Sequence, residues 1–201
     1  MTRIGEAIIR EALSWVDKSC KETVRNGGSC IDDLQAAYDL SARREAYCAK
    51  FVWVCTDAGC QTLGIENHLP KTAGARNMRD LSRKSSLRTD LVMAPGAIFY
   101  RYSTAGATGH MGICLGWNDR VMYSAEGNRG DRIDVFQNEL AAVKNPKNGY
   151  EFIHTELMPG GQDEASSTVV ASPPLWVGLI AAGGLGYYLY EQGVFDELMK
   201  K

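Results

Sequence analysis

The chain lacks several features at once, and each absence excludes a class of protein. Charge of one sign is missing: 22 Lys and Arg oppose 24 Asp and Glu, a formal net charge of -2, so no global basic field gathers nucleic acid. None of the six cysteines forms a Cys-x-x-Cys pair, which removes the usual zinc and thioredoxin-like signatures, and six are too few for a disulfide scaffold. Glycine pairs such as Gly160-Gly161 and Gly183-Gly184 do not fall between a strand and a helix, where a phosphate-binding loop would need them. Histidine is scarce: only His68, His110 and His154 could supply an imidazole base. Disorder is excluded as well, because hydrophobic residues at 45% and charged residues at 23% are those of a globular chain.

At the N-terminus, Arg3, Glu6, Arg10 and Glu11 break up the apolar run that a secretory signal needs. Ile4, Ala7, Ile8, Ala12, Trp15 and Val16 recur at helical spacing, so an amphipathic helix packed on the body is expected instead. Reduced thiols are then the expected state. Cys20 and Cys30 flank an RNGGS turn, and the sequence leaves open whether they pair.

Residues 1–157 read as one α+β domain, with N-terminal helices packed on an antiparallel sheet. Ile31, Leu34, Ala37 and Tyr38 share a helical face, and AKFVWVCTDAG continues as an apolar helix expected to stop at Gly59. From Leu69 onward, Lys71, Arg76, Arg79, Arg83, Lys84 and Arg88 stand against the single acid Asp80, as on a solvated helical face or, alternatively, a patch facing an anionic polymer. Strand-like runs follow: PGAIFYRY, GHMGICLGW, RVMYSAEGN and YEFIHTEL, bounded by turn residues.

Residues 158–172 are Gly-, Ser- and Pro-rich and read as a flexible linker, and residues 193–201 as a short tail. Between them, residues 173–192 are expected to form a transmembrane helix. The stretch Leu175–Tyr190 is uncharged, and an 18-residue helix covers about 27 Å, near the thickness of a bilayer core. Trp176 lies near one end and Tyr187, Tyr188 and Tyr190 near the other. Gly178, Ala182 and Gly186 form a small-residue stripe suited to helix–helix association. A membrane-associated location follows as an expectation, with Lys200 and Lys201 on the cytoplasmic side.

The chemistry-bearing feature is Cys48 in Tyr47-Cys48-Ala49-Lys50-Phe51-Val52, at the mouth of an apolar helix. A helix start presents unpaired N–H groups and the positive end of the helix dipole, which stabilise a thiolate. Cys55, seven residues on, is expected to pack. His110 opens a strand in which Gly112 and Cys114 share its face, while Met111, Ile113 and Leu115 face the other way. By the same alternation Ser124, Glu126 and Asn128 share a face of the next strand, so a carboxylate and a carboxamide are at hand to orient an imidazole.

The ordered set Tyr-Cys-Ala-x-Phe-Val, Pro95-Gly96-Ala97-Ile98, Gly109-His110-Met111-Gly112-Ile113 and Glu126-Gly127-Asn128 resembles the CHAP family of cysteine- and histidine-dependent amidohydrolases/peptidases, over about residues 5–157. The resemblance implies a papain-like α+β fold and hydrolysis of a peptidoglycan amide bond, with peptidoglycan as the partner and no metal or nucleotide cofactor. It assigns Cys48 as nucleophile, His110 as base, Glu126 as the group orienting His110, and Asn128 as a fourth polar member. In two places the chain departs from the family pattern: Tyr47 replaces a more usual Trp and Ala97 a more usual Asp, neither of them a catalytic group. The settings implied are a virion-associated phage lysin or a wall-remodelling enzyme, in a virion membrane or the bacterial envelope. The contrasting expectations are a membrane-anchored structural virion or envelope protein that keeps the fold without needing catalysis, and a thiol acyltransferase or protease on the same framework.

Overall fold

The computed structural model describes residues 1–41, 44–102, 109–145 and 150–161. Helix α1 (Arg3–Asp17) begins where the Thr2 hydroxyl accepts the Gly5 N–H, 3.1 Å away, which satisfies one of the unpaired donors of the first turn. Its apolar stripe, Ile4, Ile8, Ala12 and Trp15, is buried, each large side chain contributing about 1.5–3 kcal/mol of transfer free energy. Helix α2 (Ser29–Tyr38) buries Ile31, Leu34 and Tyr38 but leaves Ala37 exposed. Gln35 is buried in its place because its amide is fully used: Oε1 accepts from Lys50 Nζ at 2.7 Å and Nε2 donates to the Asn26 carbonyl at 2.7 Å.

Helix α3 (Cys48–Leu63) is the central helix, and it does not stop at Gly59. A Cβ on Gly59 would lie 3.0 Å from the Ile8 backbone N, so glycine here lets α1 and α3 cross closely. The helix ends instead at Gly64, whose φ of 67° is the left-handed C-cap conformation. Helix α4 (Ala75–Ser82) occupies only part of the basic segment. Arg79 is not solvated: it is 4% exposed, its guanidinium carbon 4.7 and 4.6 Å from the Tyr100 and Tyr102 ring centroids, and Asp80 accepts from it.

The six-stranded antiparallel sheet runs β1 (Thr89–Asp90), β6 (Tyr150–Ile153), β2 (Ile98–Tyr102), β3 (Gly109–Trp117), β4 (Val121–Gly127), β5 (Ile133–Glu139) in spatial order. The short helix α5 (Leu140–Val143) follows β5, and a 3-10 turn, Thr155–Leu157, follows β6. One sheet face, with Ile98, Tyr100, Met111, Ile113 and Ala125, packs in the main core with α1 and α3. The opposite face gathers Phe99, Cys114, Met122, Tyr150 and Phe152 with Val143.

Cys20 and Cys30 are joined in a disulfide, their Cα atoms 5.4 Å apart, so this pair departs from the expected reduced state. The loop it closes is fastened to the start of β5, where the Ile133 N–H donates to the Cys20 carbonyl at 3.0 Å. Met158, the first residue of the expected linker, is fully buried and lies 3.7 Å from Cys60 through their sulfurs.

The C-terminal transmembrane helix of the sequence reading is corrected. Among the described residues no helix is long and apolar enough to cross a membrane: the longest, α1 and α3, have 15 and 16 residues, short of the roughly 20 that a bilayer requires. Residues 173–192, with Gly178, Ala182 and Gly186, lie outside the described residues, as does the tail.

Candidate active site

Cys48 is the first residue of α3. Tyr47 before it is the N-cap, supplies no side-chain cap and leaves the helical region (φ -112°, ψ 10°), so the first-turn N–H groups gain no acceptor from the N-cap side chain. The start of α3 can approach the sheet because the facing strand ends in glycine. A Cβ on Gly127 would fall 2.9 Å from Phe51 Cβ and 3.2 Å from Tyr47 Cδ2. That contact brings Cys48 to the end of the sheet where β3 begins and β4 finishes.

There Cys48 meets His110. The two side chains are hydrogen-bonded, and the imidazole Nε2 lies 2.7 Å from Glu126 Oε2. Glu126 is held as a carboxylate, so Nε2–H is the donor and Nδ1 is left on the sulfur side. Burial by itself disfavours a charged ring, but the hydrogen bonds and charges of Cys48 and Glu126 outweigh it, and the His110 pKa is pushed up to about 9.

Glu126 is completely buried and not isolated. Its Oε1 accepts from Ser124 Oγ at 2.5 Å, Arg129 Nη1 at 2.9 Å and Asn138 Nδ2 at 3.1 Å. Burial pushes its carboxyl up, yet the His110 hydrogen bond and charge, the Ser124 hydroxyl and the Arg129 guanidinium together hold it below the ordinary carboxylate value. A buried carboxylate requires this degree of satisfaction.

Three of the four residues expected from sequence therefore come together: Cys48, His110 and Glu126. Asn128 does not join them. The strand ends at Gly127, and Asn128 takes a left-handed φ of 62°, so the alternation that would put it on the Glu126 face has already stopped. The carboxamide that reaches Glu126 belongs to Asn138 on β5, placed by the pairing of Met122 with Asn138. Arg129 and Asn138 are the members the sequence reading missed. Arg129, i+3 from Glu126, was a readable signal, whereas Asn138 required the β4–β5 register.

The other cysteines are in different surroundings. Burial drives the thiols of Cys55, Cys60 and Cys114 upward, Cys60 to about 11 and Cys114 to about 12, which suits packing rather than nucleophilic attack. The other histidines lie elsewhere. His68 is on the loop between α3 and α4. His154 is clasped by two carboxylates, Glu156 Oε1 2.6 Å from Nδ1 and Asp90 Oδ1 2.8 Å from Nε2; burial disfavours its charged form, but this pair of hydrogen bonds raises its pKa all the same.

No family model, curated protein or solved structure matches the chain. The chemistry of the site rests on its own geometry: a thiol at a helix start, an imidazole beside it, and a buried carboxylate behind the imidazole.

Proposed function

We propose that the chain is a cysteine-dependent amidohydrolase or endopeptidase of CHAP type, acting on an amide bond of peptidoglycan. One observation carries this reading: His110 hydrogen-bonds Cys48 on one side and Glu126, at 2.7 Å, on the other. A nucleophile, a base and a group orienting the base are the minimum set for acyl transfer through a thioester.

In the proposed reaction His110 takes the Cys48 proton, and the sulfur attacks the amide carbonyl. The resulting oxyanion lies at the start of α3, where helix N–H groups and the dipole oppose its charge. His110 then gives its proton to the leaving nitrogen as the C–N bond breaks, leaving a thioester on Cys48. Water, deprotonated by His110, adds to the thioester; the C–S bond breaks, the acid is released, and the thiol regains its proton. Glu126 keeps its charge throughout and fixes the ring orientation.

The test incubates the full chain and its Cys48→Ala variant with purified peptidoglycan and identifies the soluble fragments by mass spectrometry. The expected result is new amine and carboxyl ends from the parent chain and none from the variant. Equal fragments from both, or fragments from neither, would overturn the assignment; the masses of the new ends identify the bond cut.

A further inference from the structure

We infer that Arg101 is the substrate-selecting residue of this site, and that it binds a free carboxylate carried by the substrate within about two residues of the scissile amide. The inference rests on the amidohydrolase reading of Cys48 and His110 and adds the class of peptide that the site selects.

Register is the first observation. Arg101 on β2 pairs directly with His110 on β3, so the two side chains project from the same face, with Cβ atoms about 4.5–5.5 Å apart as in any directly opposed pair. Phe99 and Tyr150 lie on that face too. Their rings stack at 5.7 Å, and Phe99 is 6.3 Å from the His110 ring. Arg101 thus stands at the edge of an aromatic floor whose other edge is the imidazole.

Charge balance is the second. The arginines nearby are neutralised: Arg129 by Glu126, Arg132 by Asp134, and Arg83 by Glu151 on the opposite face. Among the described residues Arg101 has no carboxylate partner; its Nη1 donates to the Tyr150 hydroxyl at 3.3 Å, and its guanidinium lies 5.9 Å from that ring. The segments adjoining β2 and β6 in sequence, 103–108 and 146–149, contain no Asp or Glu. A half-buried guanidinium beside a reacting centre, held by a neutral phenol, retains most of its capacity to bind an anion, and its planar fork suits a carboxylate.

The third observation is that Arg101 is fastened in place. The Tyr150 hydroxyl that accepts from it donates to Asn138 Oδ1 at 3.4 Å, and Asn138 in turn donates to Glu126. One hydrogen-bonded chain therefore runs from Arg101 to the carboxylate behind His110. Strands lie about 4.8 Å apart, so a carboxylate gripped by Arg101 is within a residue or two of the carbon that Cys48 attacks.

The experiment uses the full chain and a matched pair of wall peptides, one with free carboxylates and one with those carboxylates converted to carboxamides. With the parent enzyme, kcat/KM is expected to be at least about tenfold higher on the carboxylate form, chiefly through KM. Arg101→Gln is expected to abolish that preference by raising KM for the carboxylate form to that for the carboxamide form, and Arg101→Lys to retain part of it. Equal rates of the parent on both peptides, or an unchanged preference in Arg101→Gln, would overturn the inference. A binding arm separates this failure from failure of the hydrolase reading. The full chain carrying Cys48→Ala is titrated calorimetrically with both peptides, before and after adding Arg101→Gln. Loss of affinity on amidation, and the same loss with Arg101→Gln, supports the carboxylate site even if neither peptide is cut; no difference in either comparison overturns it.

Discussion

Gly112 and Glu126 lie against one another across β3 and β4: a Cβ on Gly112 would fall 2.7 Å from Glu126 Cγ and 2.6 Å from Phe99 Cε1. The buried carboxylate occupies the space that any other residue at 112 would claim. Gly112→Ala should therefore cost about 1–3 kcal/mol through overpacking and displace Glu126 from His110, with activity falling well beyond the loss in stability. Thermal denaturation and peptidoglycan turnover, measured on the same preparation, check this. Unchanged turnover would mean that Glu126 is not placed by Gly112.

For the proposed hydrolysis, the proton on His110 is expected to set the alkaline side of the activity profile. Burial lowers the pKa of this ring, but Cys48 and Glu126 raise it from 6.5 to about 9. The proton that the leaving nitrogen receives is then present below that value and lost as pH rises through about 9. The same shift makes His110 a stabilising group: its contribution is complete below pH 6.5 and disappears as pH climbs through about 9. Glu126→Gln removes the charge that holds the imidazolium, so the alkaline limb of kcat/KM should move to lower pH by about one unit or more. A limb that stays in place would remove Glu126 from the orienting role.

The disulfide between Cys20 and Cys30 closes a short loop, with a sequence separation of 10. Chain-entropy arguments give about 3 kcal/mol for a loop of this length. Reduction by a dithiol, or Cys20→Ser with Cys30→Ser, should lower the urea midpoint accordingly. An identical midpoint in oxidised and reduced chain would show that the cross-link adds nothing to the native state.

Local pattern made much of the fold legible. The strand GHMGICLGW is β3 residue for residue, and its alternation correctly separates His110 and Gly112 from Met111 and Ile113. The stripe of α1 is buried as its spacing demands. Gly59 was misread because a glycine that ends a helix and one that lets two helices cross look alike until the partner, Ile8, is known. Arg79 was misread because its aromatic clamp, Tyr100 and Tyr102, lies on a strand about 20 residues away. Strand β5 was missed: it alternates, but Asp134, Gln137 and Asn138 make it polar for a strand, and it is an edge of the sheet.

By itself the sequence determined the elements and the reactive groups at their ends: a cysteine on the first turn of an apolar helix, a histidine at the start of a strand, a glutamate near the end of the next. These follow from short-range periodicity and capping, which act within a few residues. Only the tertiary structure decided which polar groups complete the site. Asn138 stands behind Glu126 because β5 pairs with β4 in one register, Asn128 lies beyond the strand with its backbone in the left-handed region, and Arg101 shares a sheet face with His110 because β2 sets it opposite. Hydrogen bonds between strands choose such partners across long stretches of chain, where no local pattern reaches.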